Sequence, residues 1–332
     1  MIKVAVIGYG YWGPNLVRNC LQHKDLQLTT VCDTNGARLK PLAGLYPHLR
    51  LVTDFKEALG GVDALMIATP VVTHVALAKA ALQAGKHVLV EKPFATSVKE
   101  AEGLMRLAQR KGLVLLVDHV FLYTPAVRAM KELCAKKALG DIIYFDATRT
   151  NLGLFQRDVN VIWDLAVHDI AIMQYLLNKT PREVSAAGIS YFKNGLESIA
   201  YLTAFFDART IAHGHFSWLS PVKVRTILLG GDKKMVLYDD THASEKVKIY
   251  DKGVSSTAQR QELFVSYRSG DMVAPRLENT EALYYVCDDF ARAIAKGSQP
   301  VSNAAFSLKV TAVLEAAARS LKNGGKKVKV NA

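Results

Sequence analysis

The sequence predicts an α/β protein made of two parts. An N-terminal dinucleotide-binding domain of the doubly wound type covers residues 1–121. An α+β domain with a large, open, mostly antiparallel sheet covers residues 122–332, its terminal helix packing back on the core. Three observations predict this. A glycine fingerprint stands between a strand and a helix at the start of the chain. Short apolar strands then alternate with helices to about residue 121, as a parallel sheet requires. Beyond that point long alternating strands with hairpin signals take over, the pattern of an antiparallel sheet with one covered face.

In order, Ile2 to Ile7 is a continuous apolar strand, followed at once by Gly8-Tyr9-Gly10-Tyr11-Trp12-Gly13 and a helical pattern carrying Leu16, Val17, Cys20 and Leu21. In Gly-x-Gly-x-x-Gly the first glycine makes the tight turn. The second lets backbone amides approach a pyrophosphate, and the third lets helix and strand pack closely. The helix N-terminus supplies partial positive charge to that phosphate pair. A second strand, Leu26 to Cys32, ends on Asp33, 20 residues after Gly13. A carboxylate there hydrogen-bonds ribose hydroxyls and repels a 2′-phosphate, which points to NAD ahead of NADP, although Arg38 stands close by in sequence. Val52-Thr53 precedes a helical turn at Asp54–Leu59. Ala64 to Ala68 is a strand ending on Thr69-Pro70, and His74 to Gln83 is helical, closed by Gly85. Lys86 to Val90 is a buried strand, 97–111 an amphipathic helix stopped near Gly112, and Leu113 to Val117 a strand ending on Asp118-His119.

After residue 121 a helix from Pro125 to Leu139 and a Gly140-Asp141 turn lead into a strand, Ile142 to Arg149. A loop at 150–161 precedes a helix from Trp163 to Leu177. Strands follow at Glu183–Phe192, Ile199–Phe206, Thr210–Trp218, Val222–Leu229, Lys234–Tyr238 and Lys246–Tyr250, and helices at 278–296 and 304–322 finish the chain. Aromatic and β-branched residues occupy both sides of several strands, so self-association through the sheet, as a homodimer or homotetramer, is expected.

Composition bounds the partners. The chain has 332 residues, half of them apolar, enough for two domains with real cores. No apolar run reaches the length of a membrane span, and the chain opens directly on a strand, so no membrane partner, signal peptide or anchor is expected. The four cysteines stand far apart in helix or strand patterns with no metal-type spacing, which predicts reduced core residues, a cytoplasmic protein and no metal. A net charge of +12 raises nucleic acid as a partner. The basic residues are scattered, however, and no helix-turn-helix or aromatic-basic strand pair is present, so nucleic acid is set aside in favour of small anionic substrates.

Two stretches carry chemistry. Glu91-Lys92-Pro93 closes the buried strand, and ligands of open α/β sheets collect at the carboxyl ends of strands. Pro93 restricts Lys92, giving the lysine a fixed direction; a plain surface turn would have the same composition. Thr69, Glu91, Lys92, Asp118 and His119 all fall where strands end, on the edge of the glycine loop. The second stretch, Trp163-Asp-Leu-Ala-Val-His-Asp169, puts Asp164 and His168 four residues apart, on one face of a helix. A carboxylate beside an imidazole can orient it and stabilise its charged form. An acidic first turn with a packed histidine explains the same residues.

The glycine fingerprint, Glu91-Lys92-Pro93 and Asp164-x-x-x-His168-Asp169, in this order and spacing, resemble the glucose–fructose oxidoreductase/inositol dehydrogenase (Gfo/Idh/MocA) family over essentially the whole chain. The resemblance implies a Rossmann domain, a C-terminal α/β domain, and a catalytic lysine, aspartate and histidine gathered around a nicotinamide. Carried over by position, these are Lys92, Asp164 and His168. It also places Thr69, Pro70 and His74 in the segment that meets the cofactor, beside Gly8, Gly10, Tyr11, Trp12, Gly13, Asp33, Glu91 and Lys92. Pro70 equally explains a strand end, and Tyr11 and Trp12 equally explain a cover for the glycine turn. Residues 10–15 and 151–164 are similar to members found with nucleotide-sugar biosynthesis, of the kind of the UDP-N-acetylglucosaminuronate 3-dehydrogenases. Where several sugar-oxidising relatives have Asn and Arg-Phe after the last Rossmann strand, this chain has His119-Val-Phe121 and Tyr123.

The implied reaction is NAD-dependent hydride transfer at a secondary ring hydroxyl of a nucleotide-linked sugar, with a 3-keto product. The proton is assigned to His168, with Lys92 as the alternative. His119, Tyr123, Arg149, Asn151, Arg157 and Asn160, with Asp164 and His168, are the candidate substrate contacts; the polar loop residues among them also suit a solvated loop. A dehydrogenase of a free sugar or polyol such as inositol or glucose is the alternative enzyme. A non-catalytic NAD sensor needs no Lys92, Asp164 and His168, and a structural oligomer explains neither motif.

Overall fold

The structure, a computed structural model, describes residues 1–331 apart from Leu154, Arg157, Lys193, Asn194, Arg260 and Gln261, with the side chains between Val254 and Val265 also outside the description. The chain divides into two compact units. One comprises residues 1–123 with 280–311, the other 124–279 with 312–331.

The first unit is built on a six-stranded parallel sheet: β1 (Ile2–Ile7), β2 (Leu26–Cys32), β3 (Arg50–Val52), β4 (Ala64–Ile67), β5 (His87–Glu91) and β6 (Leu115–Asp118). The spatial order is β3-β2-β1-β4-β5-β6. The order reverses between β1 and β4, and in doubly wound sheets ligands bind at that reversal. Every residue of β4 and β6 is buried, the consequence of helices covering both faces of the sheet. These helices are α1 (Gly13–Gln22), α2 (Gly36–Leu45), α3 (Phe55–Ala58), α4 (Val71–Gln83) and α5 (Val98–Lys111). α5 starts where the Ser97 hydroxyl accepts from the Glu100 amide and ends at Gly112, whose φ of 64° allows the left-handed cap. α2, unexpected from sequence because Pro41 and Gly44 interrupt it, is started by the Asn35 side chain accepting from the Ala37 amide.

Helix α8 (Ala282–Lys296) and residues 304–311, which begin α9 (Ala304–Lys322), also belong to this unit. The sequence places the boundary at residue 121; in the structure the first unit runs to residue 123 and takes in residues 280–311 as well. The return is anchored by Arg18 of α1, which grips Glu281 through two bonds of 2.7 and 2.8 Å. His23 packs its ring on Tyr284 at 5.2 Å.

The second unit opens with α6 (Pro125–Ala135), capped by the Thr124 hydroxyl. Its nine-stranded sheet runs β14-β13-β12-β11-β7-β10-β9-β8-β15. The strands are β7 (Ile142–Leu152), β8 (Glu183–Ile189), β9 (Ile199–Phe205), β10 (Ile211–Ser217), β11 (Leu219–Gly231), β12 (Met235–Asp239), β13 (Val247–Gln259), β14 (Glu262–Val273) and β15 (Val328–Lys329). All their pairings are antiparallel except β7 with β10. Helix α7 (Val167–Leu177) is buried along most of its length. Phe145, Ala147, Leu202, Ala212 and Phe216 are buried on one face of the sheet, and the other carries the exposed Tyr201, Ile211 and Leu228.

Candidate active site

In the first unit the glycine loop has the shape its sequence predicts. Gly8 has φ of +95°, and a Cβ there would lie 2.5 Å from the Ala68 carbonyl oxygen. A Cβ on Gly13 would collide with the Gly8 carbonyl, whereas Gly10 has only a guanidine nitrogen of Arg38 nearby, at 3.8 Å. Two glycines are thus needed for packing within the chain. The middle one keeps a face clear for an approaching group, as the pyrophosphate of a dinucleotide requires. Asp33 is buried and fixed at the end of β2. Its two oxygens accept from the amides of Tyr9 at 2.7 Å and Asn35 at 2.8 Å, and Arg38 stands 3.5 Å away. These residues fit the phosphates and the adenosine ribose of NAD. Tyr11 is 85% exposed, so it does not cover the glycine turn.

The strand ends next to this loop form a connected edge. Lys92, half-buried, follows β5 directly; its amide donates to Glu91 Oε2 at 3.2 Å and its peptide bond to Pro93 is cis. The His74 ring, 1% exposed, lies between the Pro93 carbonyl at 3.0 Å and the Thr69 carbonyl at 2.8 Å. It therefore bridges the segments that follow β4 and β5 instead of presenting a nitrogen outward. Thr69 Oγ1 meets Thr73 Oγ1 at 2.7 Å, and Pro70 caps α4. The Trp12 indole donates toward Asp118 Oδ2 at 3.4 Å, joining the glycine loop to the end of β6.

Two substrate candidates of this unit prove to be interior. His119 is 2% exposed and edge-on to Phe306 at 5.8 Å; burial, helped by the Lys92 charge, pulls its pKa down to about 3 and keeps it neutral. The Tyr123 hydroxyl is held by Asp289 and Ser302, each at 2.9 Å, with burial and then Asp289 pushing its pKa well up. Neither side chain is presented to a substrate.

In the second unit the predicted helix at Trp163–Leu177 begins instead with a π-helical turn, Ile162–Ala166, and continues as α7. Such wider turns recur at functional positions because they displace side chains from helical register. Asp164 sits in the π turn and His168 in the first turn of α7, both half-buried. The Trp218 indole donates to Asp164 Oδ2 at 3.0 Å, fixing that carboxylate. Asn160 is a structural residue: its side-chain oxygen accepts from the Trp163 amide at 3.2 Å, and its amide donates to Glu197 at 2.7 Å.

Arg149 also leaves the list of substrate contacts. Strand alternation places it on the same face of β7 as the buried Phe145 and Ala147. There it makes bonds of 2.6 and 3.0 Å to Asp169. Burial alone lowers its pKa, but the Asp169 charge and hydrogen bonds outweigh that and leave it raised. Asn151 lies half-buried in β7, and Arg157 lies outside the described residues. Sequence reasoning missed Trp218, which nothing in the spacing links to Asp164. It also did not name Asp118 as a site residue, although a strand-terminal acid was visible. No group of metal-ligating side chains occurs among the described residues. Nor, among those residues, is any helix long and apolar enough to cross a membrane.

Known proteins resemble this chain in both of its parts. Residues 2–119 match the profile described as "Oxidoreductase family, NAD-binding Rossmann fold" of GFO/IDH/MocA, and residues 127–236 match the GFO/IDH/MocA C-terminal domain. The chain is 33% identical to UDP-N-acetylglucosamine 3-dehydrogenase of Acidithiobacillus ferrooxidans over 57% of its length, covering 58% of that relative. It is 24% identical to scyllo-inositol 2-dehydrogenase (NADP(+)) IolU of Bacillus subtilis over 97% of both chains. Among solved structures, that of the A. ferrooxidans enzyme superposes with a TM-score of 0.82 at 25% identity, covering 98% of this chain and 99% of the other. GenD2 from gentamicin A biosynthesis, solved with NAD, superposes at 0.84 with 24% identity over 100% and 97%. With both domain profiles in place, the chain belongs to the Gfo/Idh/MocA oxidoreductase family and carries its NAD-binding Rossmann domain.

Proposed function

We propose that the protein is an NAD-dependent dehydrogenase acting on a secondary ring hydroxyl of a nucleotide-linked sugar, with a 3-keto product. The observation that carries this reading is Lys92. It follows β5 at the switch edge of an NAD-binding sheet, with its backbone held by Glu91 and the next residue's carbonyl by His74. The 3-dehydrogenase similarity, which reaches about three fifths of that relative, supports the UDP-sugar and the carbon position.

In this mechanism NAD, when bound, accepts the hydride. His168 takes the hydroxyl proton, and Asp164, held by Trp218, orients the imidazole and balances its charge. Lys92 hydrogen-bonds the substrate oxygen as charge develops on it. Asp33 favours NAD over NADP because a fixed carboxylate repels a 2′-phosphate. The full-length match to an inositol dehydrogenase keeps a free polyol as the second reading.

We place the reaction in the cytoplasm, which suits four free cysteines. We assign the exposed sheet face around Tyr201, Ile211 and Leu228 to homo-oligomer contact. Reduction of NAD by purified protein, screened with UDP-sugars and UDP-sugar acids against inositol and glucose, tests the reading. Turnover with a UDP-sugar is the expected result, and turnover confined to inositol or glucose would replace it with the second reading. Lys92→Ala and His168→Ala should each lower kcat about 100-fold or more while NAD still binds; unchanged kcat in either variant removes that residue from the mechanism.

A further inference from the structure

Glu91 and Asp118 end adjacent parallel strands and are register partners, the last pair of the β5–β6 ladder. Both side chains are buried, Asp118 to 1% exposure and Glu91 to 9%. One oxygen of each is spoken for: Glu91 Oε2 accepts the Lys92 amide, and Asp118 Oδ2 accepts the Trp12 indole. Among the described residues no donor reaches the remaining oxygens, Glu91 Oε1 and Asp118 Oδ1. As register partners at the ends of neighbouring parallel strands, the two residues put their side chains on the same face of the sheet, next to each other. Two buried carboxylates side by side repel, and each would keep one oxygen without a donor; one proton between them removes the repulsion and supplies a donor.

We propose that Glu91 and Asp118 share one proton, with Glu91 donating to the Asp118 carboxylate, and that this acid pair is a positioning device for NAD binding. It ties the glycine-loop Trp12 to the backbone of Lys92, so that the loop and the lysine take up one arrangement together. The inference deepens the function proposed above and rests on its NAD-binding part, not on its substrate.

The electrostatics agree with the geometry. Burial first, then the Asp118 charge, pushes Glu91 well above the usual carboxylate range. Burial raises Asp118 to about 6, partly offset by hydrogen bonds from Glu91 and Trp12 and by the Lys92 charge. The other groups near the pair do not supply the missing donor. Neither ring nitrogen of His119 has a hydrogen-bond partner among the described residues, so its N–H is not given to the pair, and the Cys287 thiol of α8, raised by Cys20 and by burial, stays neutral. Both carboxyls are raised, so the pair keeps a proton in neutral solution, and we place it on Glu91.

Glu91→Gln reproduces the proton carrier without a titrating group, since its amide donates to Asp118 as the acid does. Asp118→Leu removes the acceptor from both Trp12 and Glu91. In the full-length protein, infrared spectra at about pH 8 should show a protonated carboxyl band, far above where an ordinary glutamate ionises. That band should be missing from Glu91→Gln. NAD affinity, measured by calorimetry without sugar, should fall in the wild type as pH rises from about 6 to 9 and stay level in Glu91→Gln. Asp118→Leu should bind NAD about 10-fold more weakly at every pH, the scale of a lost hydrogen bond to a charged group. No protonated band in the wild type, or a band that survives in Glu91→Gln, overturns the shared proton. A Glu91→Gln protein that keeps the wild-type pH dependence of NAD binding overturns the positioning role. Neither measurement uses a sugar, so failure to find a substrate would leave this test standing.

Discussion

Asp169 in the second unit and Asp118 in the first are buried to the same degree, 3% and 1% exposed, yet they are compensated in opposite ways. Asp169 faces the Arg149 guanidinium through two bonds, so its charge is matched by a fixed charge. Asp118 faces Glu91 and an indole, so its burial is made tolerable by a proton. A guanidinium cannot be deprotonated in a protein, so the cation opposite Asp169 is present at every working pH. A proton shared by two acids can leave. The first unit has placed a titratable pair next to the residue assigned to catalysis, while the second has locked its buried acid for good.

The comparison breaks most visibly on removing the cation. Arg149→Leu leaves Asp169 buried and unmatched, which should destabilise the protein by about 3–5 kcal/mol, read as a lower denaturant midpoint. Adding Asp169→Leu should restore much of that loss, because a well-packed apolar pair replaces the ion pair without an orphaned charge. If the single variant is as stable as the wild type, Arg149 is not the structural partner of Asp169. It then returns to the list of substrate contacts.

Arg149 also shows where sequence reading stops. Its position in a polar stretch before the helix that carries His168 makes it look like a substrate contact. Its place on the inward face of β7 was already present in the alternation Phe145, Ala147, Arg149, but the buried anion opposite it comes from α7, 20 residues on in the chain. The glycine loop could be read in full, since strand, turn, helix and acid follow one another within Ile2–Asp33 and the constraints are local. Asp164 and His168 could be named, but not the π turn that carries Asp164, because an i→i+5 pattern has no distinct hydrophobic period over five residues. Strands β13 and β14 extend far past the strand expected at Lys246–Tyr250, through a stretch rich in Ser, Thr, Gln and Arg where no apolar alternation marks an edge hairpin. Helix α8 was found, but its return to the first unit depends on Arg18–Glu281, two residues 263 positions apart.

A smaller effect sharpens the comparison from the catalytic side of the second unit. Asp164 is only half-buried, and the Trp218 indole is the fixed donor to its Oδ2. Trp218→Phe keeps the aromatic packing against Phe155 and deletes that donor. Losing one hydrogen bond to a charged group is worth about 1.5–3 kcal/mol, so kcat should fall about 10- to 150-fold, with NAD affinity unchanged. A change in NAD affinity with kcat intact would mean that Trp218 does not act through Asp164.

The smallest effect, and the one most diagnostic of the contrast, is the pH dependence of stability. Asp118 and Glu91 both have folded-state pKa values raised above their unfolded values, Asp118 from 3.8 to about 6 and Glu91 further. Across the interval between those values the folded state binds more protons than the unfolded chain. Stability contributed by this site is therefore greatest at acid pH, falls as pH rises from about 4 through 6, and continues to fall as Glu91 approaches ionisation. Arg149 contributes no such slope, because it stays charged throughout. Other carboxylates titrate in the same range, so the informative quantity is the difference in melting temperature between Glu91→Gln and the wild type at each pH. Glutamine cannot ionise, and its amide holds Asp118 charged, so the variant should gain on the wild type steadily as pH rises from about 5 to 8. The double variant Arg149→Leu/Asp169→Leu, which has no ionisable group at this place, should differ from the wild type by an offset that changes little over that range. A flat difference for Glu91→Gln would mean that the first unit's acid pair is compensated by fixed groups after all, as the second unit's is.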